Sequence, residues 1–244
     1  MFYQVVQRVK RRLPSPVLER FRAWGVSRLL GRLYRDDEVE LAYQRAFAQA
    51  LQQLPRWEEG LSTYWHQHRC LEALLKLTPL DESSRVLDVG CGLTSVLRLL
   101  PGERVGLDPL ADEYARLLPY PPGVKLVRGS GERLPFEASS FDLVCCSNAL
   151  DHMHAPQQVV AELARVLRPG GWLWLTVEIF EAEYVRGPAH PHALTQEQVL
   201  ALLRGTFEPK LVEVRPWLGL RQYLVEGVRV GARRELIIGA LRAG

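Results

Sequence analysis

A short stretch with two glycines and an acidic residue has the spacing of a ligand-binding turn. Asp88 precedes Gly90 and Gly92, and the apolar run RVLDVG (85–90) that contains them has the composition of a buried parallel-type strand. Glycines after such a strand let backbone N–H groups approach a ligand closely, at the start of the helix that should follow. The pattern alone is weak, because a dinucleotide site prefers a third glycine where Ser95 stands.

Acidic residues at the ends of two successive strands favour one class of ligand. Asp88 would repel a pyrophosphate but attract a ligand that carries an ammonium and a sulfonium, as S-adenosylmethionine does. Asp108 ends a second strand, RVGLD (104–108), where a carboxylate can accept hydrogen bonds from both ribose hydroxyls. Open α/β sheets bind ligands at the carboxyl ends of their strands, so both acids would share one site. The alternative is that they only cap turns.

The elements that must position these residues alternate between strand and helix from residue 80 onward. Three more strands are predicted at 124–129, 141–147 and 172–179, and closing strands at 211–217 and 235–241. A helix with apolar periodicity is predicted from Pro156 to Leu167, and a second after Thr195, whose spacing to Gln198 fits a capping box. This alternation predicts an α/β fold with a parallel-rich sheet covered on both faces.

The chain before residue 80 is predicted to be helical. Asp37 and Glu40 fit the start of one helix, which Pro55 closes, and another is predicted at 63–77. Two more helices are predicted within residues 1–35, which hold nine Arg or Lys residues against Glu19 alone, a net charge of +8. We therefore divide the chain into a basic, helical cap or lid segment, 1–79, and a ligand-binding domain, 80–244.

Composition sets the class of protein. The 244 residues are 47% hydrophobic and 24% charged, which is ordinary globular usage, and no apolar run approaches the roughly 18 residues of a membrane span. The N-terminus carries charges where a secretory signal would be apolar. The cysteines lack C-x-x-C spacing, which favours buried thiols in a reducing compartment; they are Cys70, Cys91, Cys145 and Cys146. We therefore expect a cytoplasmic protein.

Five segments together resemble the successive motifs of the class I, S-adenosylmethionine-dependent methyltransferases. They are VLDVGCG, RVGLDPL, GERLPF, SFDLVCCSNALDH and ELARVLRPGGWLWLTV. The chain is most similar to the small-molecule group that includes ubiquinone- and menaquinone-biosynthesis enzymes, over about residues 80–215. The resemblance implies a Rossmann-like, doubly wound, mostly parallel seven-stranded sheet with an N-terminal helical extension. It also implies S-adenosylmethionine as cofactor and S-adenosylhomocysteine as product.

The same resemblance implies roles for individual residues along the cofactor. Gly90 and Gly92 would contact its methionine part through their backbone, with Asp88 organising the ammonium end, and Cys91 between them is also implied as a cofactor-binding residue. Asp108 would hold the ribose, and the other implied cofactor-binding residues are Pro109, Leu110, Gly131, Glu132, Asn148 and Leu150. Pro109, Leu110, Gly131 and Glu132 would lie near the adenine, and Asn148 and Leu150 would face the reaction centre.

Two positions depart from the family pattern. Ser130 stands where an acidic residue often bonds the adenine amino group, so Ser130 or Glu132 would have to make that contact. Thr94 stands near a usual glycine, and the helix expected from Ser95 to Leu100 is short before Pro101.

Ionisable side chains after the fourth strand are candidates for a general base. A base is needed only if the methyl acceptor must lose a proton, and histidine suits because its pKa lies near neutrality. We take His152, Asp151 and His190 as the candidate catalytic residues, with His154 and His192 close in sequence. These residues could instead be turn residues or metal ligands, but adjacent HPH spacing suits a metal poorly, so we predict no metal site.

Several functions remain open. The leading hypothesis is methyl transfer to an O, N or C nucleophile of a small molecule. SNALDH replaces the N-P-P-Y type sequence of amino-group methylases of adenine or glutamine, which disfavours those substrates. RNA methylation or membrane contact through residues 1–35 is less favoured, and a non-catalytic cofactor-binding protein is the third alternative. A nicotinamide dehydrogenase ranks below these. The acceptor and the oligomeric state are not readable from the sequence.

Overall fold

The computed structural model describes residues 36–180, 191–226 and 233–243. Six α-helices and seven strands occur within these ranges. The helices are α1 (Asp36–Gln53), α2 (Trp57–His68), α3 (Leu71–Leu77), α4 (Ala111–Leu117), α5 (Pro156–Val166) and α6 (Gln196–Leu203). The strands are β1 (Arg85–Val89), β2 (Glu103–Asp108), β3 (Val124–Arg128), β4 (Phe141–Ser147), β5 (Leu167–Ile179), β6 (Phe207–Pro216) and β7 (Arg234–Arg242). The helices predicted within 1–35 lie outside the described residues.

The strands form one seven-stranded sheet in the order β3-β2-β1-β4-β5-β7-β6. Strands β1 to β5 run parallel to one another, and β7 runs antiparallel to both β5 and β6. The predicted Rossmann-like, mostly parallel sheet is therefore confirmed. The strand order reverses direction between β1 and β4, and such a switch point opens a crevice at the carboxyl ends of the strands. The glycine loop after β1 and the segment after β4 both lie at this crevice.

Helices cover both faces of the sheet. On one face, α5 and α6 pack on the inward side chains of the central strands, including Leu87, Val144 and Leu175, all fully buried. On the other face, α2 and α3 pack on Val86 and Trp174. Burial of these apolar side chains is the main driving force for the fold. None of the described helices is long and apolar enough to cross a membrane.

Four element boundaries differ from the sequence predictions. Strand β6 begins at Phe207 rather than 211 and ends at Pro216. The helix expected at 63–77 is interrupted at Cys70, whose φ of 55° cannot continue a helix, and forms α2 and α3 instead. Strand β5 begins at Leu167 rather than 172. Leu167 already pairs with Phe141 of β4, and the RPGG turn, with Gly170 at φ 74°, forms a bulge before the pairing resumes at Trp172. The helix predicted after Ser95 is only a 3₁₀ turn, Val96–Arg98.

One predicted helix start and one predicted helix end can be compared with the structure. Helix α6 begins after Thr195, whose side chain accepts from Gln198 N while the Gln198 side chain accepts from the Thr195 amide, so the predicted capping box is confirmed. Helix α1 is described from Asp36, the first described residue, and ends at Gln53 ahead of Pro55, as predicted.

Candidate functional site

The loop after β1 is shaped by its two glycines. Gly90 (φ 75°) and Gly92 (φ 55°) both adopt left-handed backbone conformations. A Cβ atom on Gly90 would lie 2.4 Å from the Ala149 Cβ, so only glycine allows the loop to pack against the segment after β4. A Cβ on Gly92 would meet no described atom within 4 Å. The loop therefore borders open space at Gly92, where a ligand can approach the backbone.

Asp108 lies at the end of β2 and holds two backbone amides in place. Its Oδ2 accepts from Gly92 N at 3.1 Å, and its Oδ1 accepts from Leu110 N at 2.9 Å. The side chain is 8% exposed. Each carboxylate oxygen has a second lone pair, so Asp108 can hold the loop and still accept hydrogen bonds from a diol. Of the two residues predicted beside the adenine, Pro109 is exposed and Leu110 is buried.

Asp88 is buried, and only one of its two carboxylate oxygens has a hydrogen-bond donor among the described residues. Ser95 Oγ donates to its Oδ2 at 2.5 Å, whereas its Oδ1 is buried and has no hydrogen-bond partner among the described residues. Burial raises the pKa of Asp88 to about 7; the Ser95 hydrogen bond opposes this rise, and the nearby Asp108 charge adds to it. A buried acceptor without a donor costs about 1–3 kcal/mol. A ligand ammonium at Oδ1 would supply both a donor and an opposite charge.

The turn after β3 packs against the segment after β4. Gly131 lies under Met153, since a Cβ there would come within 2.7 Å of Met153 Sδ. Ser130 Oγ donates to Glu132 Oε2, and His154 N donates to Glu132 Oε1 at 2.8 Å. Partial burial acts to raise the pKa of Glu132, but these donors outweigh it and hold that pKa below its ordinary value. Both Glu132 oxygens are thus engaged within the protein, and adenine would have to share them.

The segment after β4 contains one unusual backbone conformation. Asn148 has φ 53°, and its amide donates to Thr176 O at 2.7 Å. The Asn148 Oδ1 atom is buried without a hydrogen-bond partner in the described part of the chain. Leu150 differs from its prediction: the 3₁₀ turn Leu150–His152 directs its side chain into the main core, where it is fully buried. Its side chain therefore does not face an open reaction centre.

The candidate bases are grouped, with one exception. Asp151 is fully buried, and its Oδ2 lies 3.9 Å from Nε2 of the exposed His152. His192 Nε2 lies 3.1 Å from His154 O, which brings the loop before α6 against the segment after β4. His190 lies outside the described residues. Among the residues that are described, no group of three metal-ligating side chains could hold an ion.

Sequence reasoning missed a buried ion pair between α2 and the sheet. Arg69, at the end of α2, is 6% exposed and forms a salt bridge with Glu235 of β7. Its Nη1 also donates to Thr176 Oγ1 at 3.0 Å, and its Nε donates to Tyr64 Oη at 2.7 Å. The signal available in the sequence was a glutamate at the start of the otherwise apolar run ELIIGAL (235–241).

A second ion pair lies beside the first. Glu178 of β5 is paired in register with Glu235, so both carboxylates lie on the same face of the sheet. Glu178 is 1% exposed, and its Oε1 lies 3.2 Å from Arg233 Nη1. The Arg233 guanidinium also stacks on the Trp217 ring, 5.3 Å from its centroid. Each carboxylate at this end of the sheet therefore has its own guanidinium.

Comparison with known proteins agrees with this geometry. A family model described as "Methyltransferase domain" matches residues 87–175. The chain is 32% identical over 153 residues to the ubiquinone biosynthesis O-methyltransferase of Bordetella avium, covering 57% of this chain and 61% of the relative. The chain spans between 31% and 64% of the length of the first curated relatives that it matches.

Solved structures share the fold. The [4+2]-cyclase SpnF superposes with a TM-score of 0.58 at 24% identity, over 72% of this chain and 80% of that one. A geranyl diphosphate methyltransferase, solved with its substrate and sinefungin, gives a TM-score of 0.54 at 18% identity, over 72% and 77% of the two chains. At these identities the likeness concerns the fold. Together with the family match, it shows that residues 87–175 form a methyltransferase domain and that the chain has the Rossmann-like fold of the class I methyltransferases.

Proposed function

We propose that the protein transfers a methyl group from S-adenosylmethionine to an O, N or C nucleophile of a small molecule. The observation that carries this proposal is Asp88 Oδ1, a buried carboxylate oxygen that has no donor within the described ranges, two residues before the glycine loop. A ligand that satisfies Asp88 Oδ1 must carry a positively charged hydrogen-bond donor. An amino-acid ammonium does so, whereas a pyrophosphate would add a second negative charge.

The residues present fit an adenosyl amino acid. Asp108 would accept hydrogen bonds from the ribose hydroxyls beside those that it accepts from Gly92 N and Leu110 N. The amide oxygen of Asn148, buried at the end of β4, would accept from the same ammonium as Asp88. When bound, S-adenosylmethionine supplies a methyl group on a good leaving group, so the protein's main task is to align the acceptor and exclude water.

A general base is needed only for acceptors that must lose a proton. His152 is exposed, and Oδ2 of the buried Asp151 carboxyl group lies 3.9 Å from its Nε2, so His152 is the candidate that an acceptor could reach. Asp151 itself is fully buried, so we assign it to orienting His152 rather than to contacting the acceptor. The role of His190 stays a prediction.

The acceptor class rests on relatives. The ubiquinone biosynthesis enzyme and the geranyl diphosphate enzyme are named for small-molecule methylation, and this supports a small acceptor here. The cyclase among the structural neighbours shows that the fold also serves other chemistry. Non-catalytic cofactor binding is therefore the alternative to exclude. Cytoplasmic location, and membrane or RNA contact through residues 1–35, remain proposals, the last two not favoured.

Calorimetric titration tests the cofactor assignment. We expect S-adenosylmethionine and S-adenosylhomocysteine to bind with micromolar affinity and NAD not to bind. Asp108→Asn should weaken both by at least about tenfold, because hydrogen bonds to a charged group contribute roughly 1.5–3 kcal/mol. Asp112→Asn is the matched control, since Asp112 is exposed on α4 nearby. No binding to the folded wild-type protein would contradict the proposal.

A second experiment separates the enzyme from a cofactor-binding protein without activity. Wild-type protein would be incubated with methyl-labelled S-adenosylmethionine and a panel of phenols, amines, carboxylates and isoprenoid diphosphates. Transfer of label to any of these supports the enzyme. Tight cofactor binding with no transfer to any acceptor class would favour the alternative.

A further inference from the structure

The glycine loop lacks the support that a helix would give it. In a helix, the carbonyl of each early residue accepts from the amide four residues later. Here only the 3₁₀ turn Val96–Arg98 follows the loop, and Pro101 prevents its extension. Carbonyl groups of the loop therefore need donors from elsewhere in the chain, because buried backbone groups are almost always hydrogen-bonded.

Tyr120 supplies one such donor. Its hydroxyl donates to Gly92 O at 2.7 Å and lies 3.3 Å from Cys91 O. Burial, with Cys91 and Asp88 nearby, raises the pKa of Tyr120, so this hydroxyl stays protonated. On the other side of the same residue, Gly92 N donates to Asp108 Oδ2 at 3.1 Å. Gly92 is thus held through its carbonyl by Tyr120 and through its amide by the ribose-binding candidate.

Arg98 supplies the other donors and extends the support to the N-terminal helices. Its Nε donates to Leu93 O at 3.2 Å, and its Nη2 donates to Leu118 O and Pro119 O at 3.2 and 3.1 Å. The guanidinium stacks on Tyr120, 4.3 Å from the ring centroid, and on Trp57 at the start of α2, 5.3 Å from the centroid. One side chain thus joins α2, the glycine loop and the segment before β3.

We propose that Tyr120 and Arg98 are positioning residues that hold the glycine loop in the shape that receives the cofactor, in place of the missing helix. This inference rests on the proposed function. Tyr120 acts through Gly92 and Asp108, and Arg98 through Leu93 and the Tyr120 ring. Their loss should weaken cofactor binding, while turnover at saturating cofactor is retained because the acceptor side of the site is unchanged.

The first test compares two tyrosines. Tyr120→Phe should weaken S-adenosylhomocysteine binding by about fivefold to tenfold, the effect of one lost hydrogen bond. Tyr64→Phe is the matched control, because its hydroxyl also donates to a backbone carbonyl, Leu218 O at 2.8 Å, but lies in the α2–sheet contact. It should lose at least as much stability, because Arg69 Nε also loses its acceptor, and leave cofactor affinity within about twofold of wild type. Equal affinity of Tyr120→Phe and wild type would overturn the proposal.

Amide hydrogen exchange provides a readout that needs no cofactor. Exchange at Gly92 and Cys91 should accelerate in Tyr120→Phe and stay at the wild-type rate in Tyr64→Phe. If wild-type protein binds no cofactor, the proposed function fails, whereas faster exchange would still show that Tyr120 holds the loop. Unchanged exchange would overturn that holding role whatever the binding result.

Arg98→Lys provides a second variant that keeps the charge but loses the planar stacking and the multiple carbonyl contacts. It should raise the KM for S-adenosylmethionine while kcat changes by less than about twofold. A fall in kcat with an unchanged KM would contradict a positioning role. If Tyr120→Phe fails to fold, this split in Arg98→Lys decides the proposal.

Discussion

Two buried carboxylates on the same face of the sheet are held in opposite ways. Glu235, near the start of β7, is paired with the Arg69 guanidinium. Asp88, near the end of β1, receives only the Ser95 hydroxyl, and its second oxygen has no donor in the described parts of the chain. Ile237 and Val86, two residues from Glu235 and Asp88 along their strands, pack on the α2–α3 side of the sheet. Because alternate residues of a strand face the same side, the Glu235 and Asp88 side chains also point toward α2 and α3. Burial is the same in the two regions, and the difference lies in where the compensating charge comes from.

The difference separates a carboxylate that serves structure, Glu235, from one that we propose serves a ligand, Asp88. A buried charge without a partner is expensive, and a fold that needs it only for stability supplies the partner itself. Arg69 does this for Glu235 and at the same time anchors α2 to the sheet. For Asp88 the cation would come with the cofactor. Without a ligand, the buried Asp88 carboxyl group therefore has no compensating charge, and its pKa is raised to about 7.

The largest expected effect comes from removing the built-in cation. Arg69→Met leaves Glu235 buried without compensation and should lower the free energy of unfolding by about 3–5 kcal/mol, measured by urea denaturation. The double variant Arg69→Met with Glu235→Leu should recover much of this loss, because it removes both charges. A loss below about 1 kcal/mol in the single variant would show that the pair is not the anchor described here.

At Asp88, removal of the charge should raise the free energy of unfolding instead of lowering it. The native protein keeps a proton on Asp88 that the unfolded chain loses above its ordinary pKa of 3.8, so stability falls as pH rises from about 4 to about 7. Asp88→Asn removes this penalty and should stabilise the ligand-free protein by about 2–4 kcal/mol at pH 8. Thermal and urea unfolding at pH 5 and pH 8 would measure it. A smaller stabilisation is expected at pH 5, where only part of the penalty has developed, and equal effects at both values would contradict the raised pKa.

A smaller effect is expected from Ser95, which supports the ionised form of Asp88. Ser95→Ala removes the 2.5 Å hydrogen bond and the cap on Leu97 N, and should cost about 1–2 kcal/mol at pH 8 and less at pH 5. Thr195→Ala is the control, because Thr195 caps α6 by accepting from Gln198 N, and its partner in the capping box is the uncharged Gln198. Its cost, about 1 kcal/mol, should not depend on pH. A pH-independent loss in Ser95→Ala would remove the coupling to Asp88.

Much of the fold could be predicted because its strands are short apolar runs that end at glycine or polar residues. The β1 to β4 runs and the β7 run were placed within one or two residues, since a buried parallel sheet demands continuous apolar side chains. The early start of β5 was missed because RPGG is a turn signal, and only pairing with β4 absorbs it. The break at Cys70 was missed because no glycine or proline marks it.

The residues of the candidate site could be predicted only where they directly follow a strand or form the glycine loop. Asp88, the loop glycines and Asp108 follow strand ends and lie where their spacing indicated. Leu150 was misplaced because the 3₁₀ turn after β4 rotates it into the core, a detail set by packing. Tyr120 and Arg98 hold the loop through contacts that depend on the tertiary fold, and no local sequence pattern predicts these contacts.

Asp88 is the residue that we propose receives the cation of an adenosyl ligand. The most direct test is calorimetric titration of S-adenosylhomocysteine at pH 5.5 and pH 7.5 into wild-type protein and Asp88→Asn. Because ionisation of Asp88 with a pKa of about 7 strengthens its attraction to the ligand ammonium, wild-type affinity should rise roughly tenfold or more across this range. Affinity of Asp88→Asn should be weaker at pH 7.5 and nearly constant with pH. The same pH dependence and affinity in both proteins would contradict the claim.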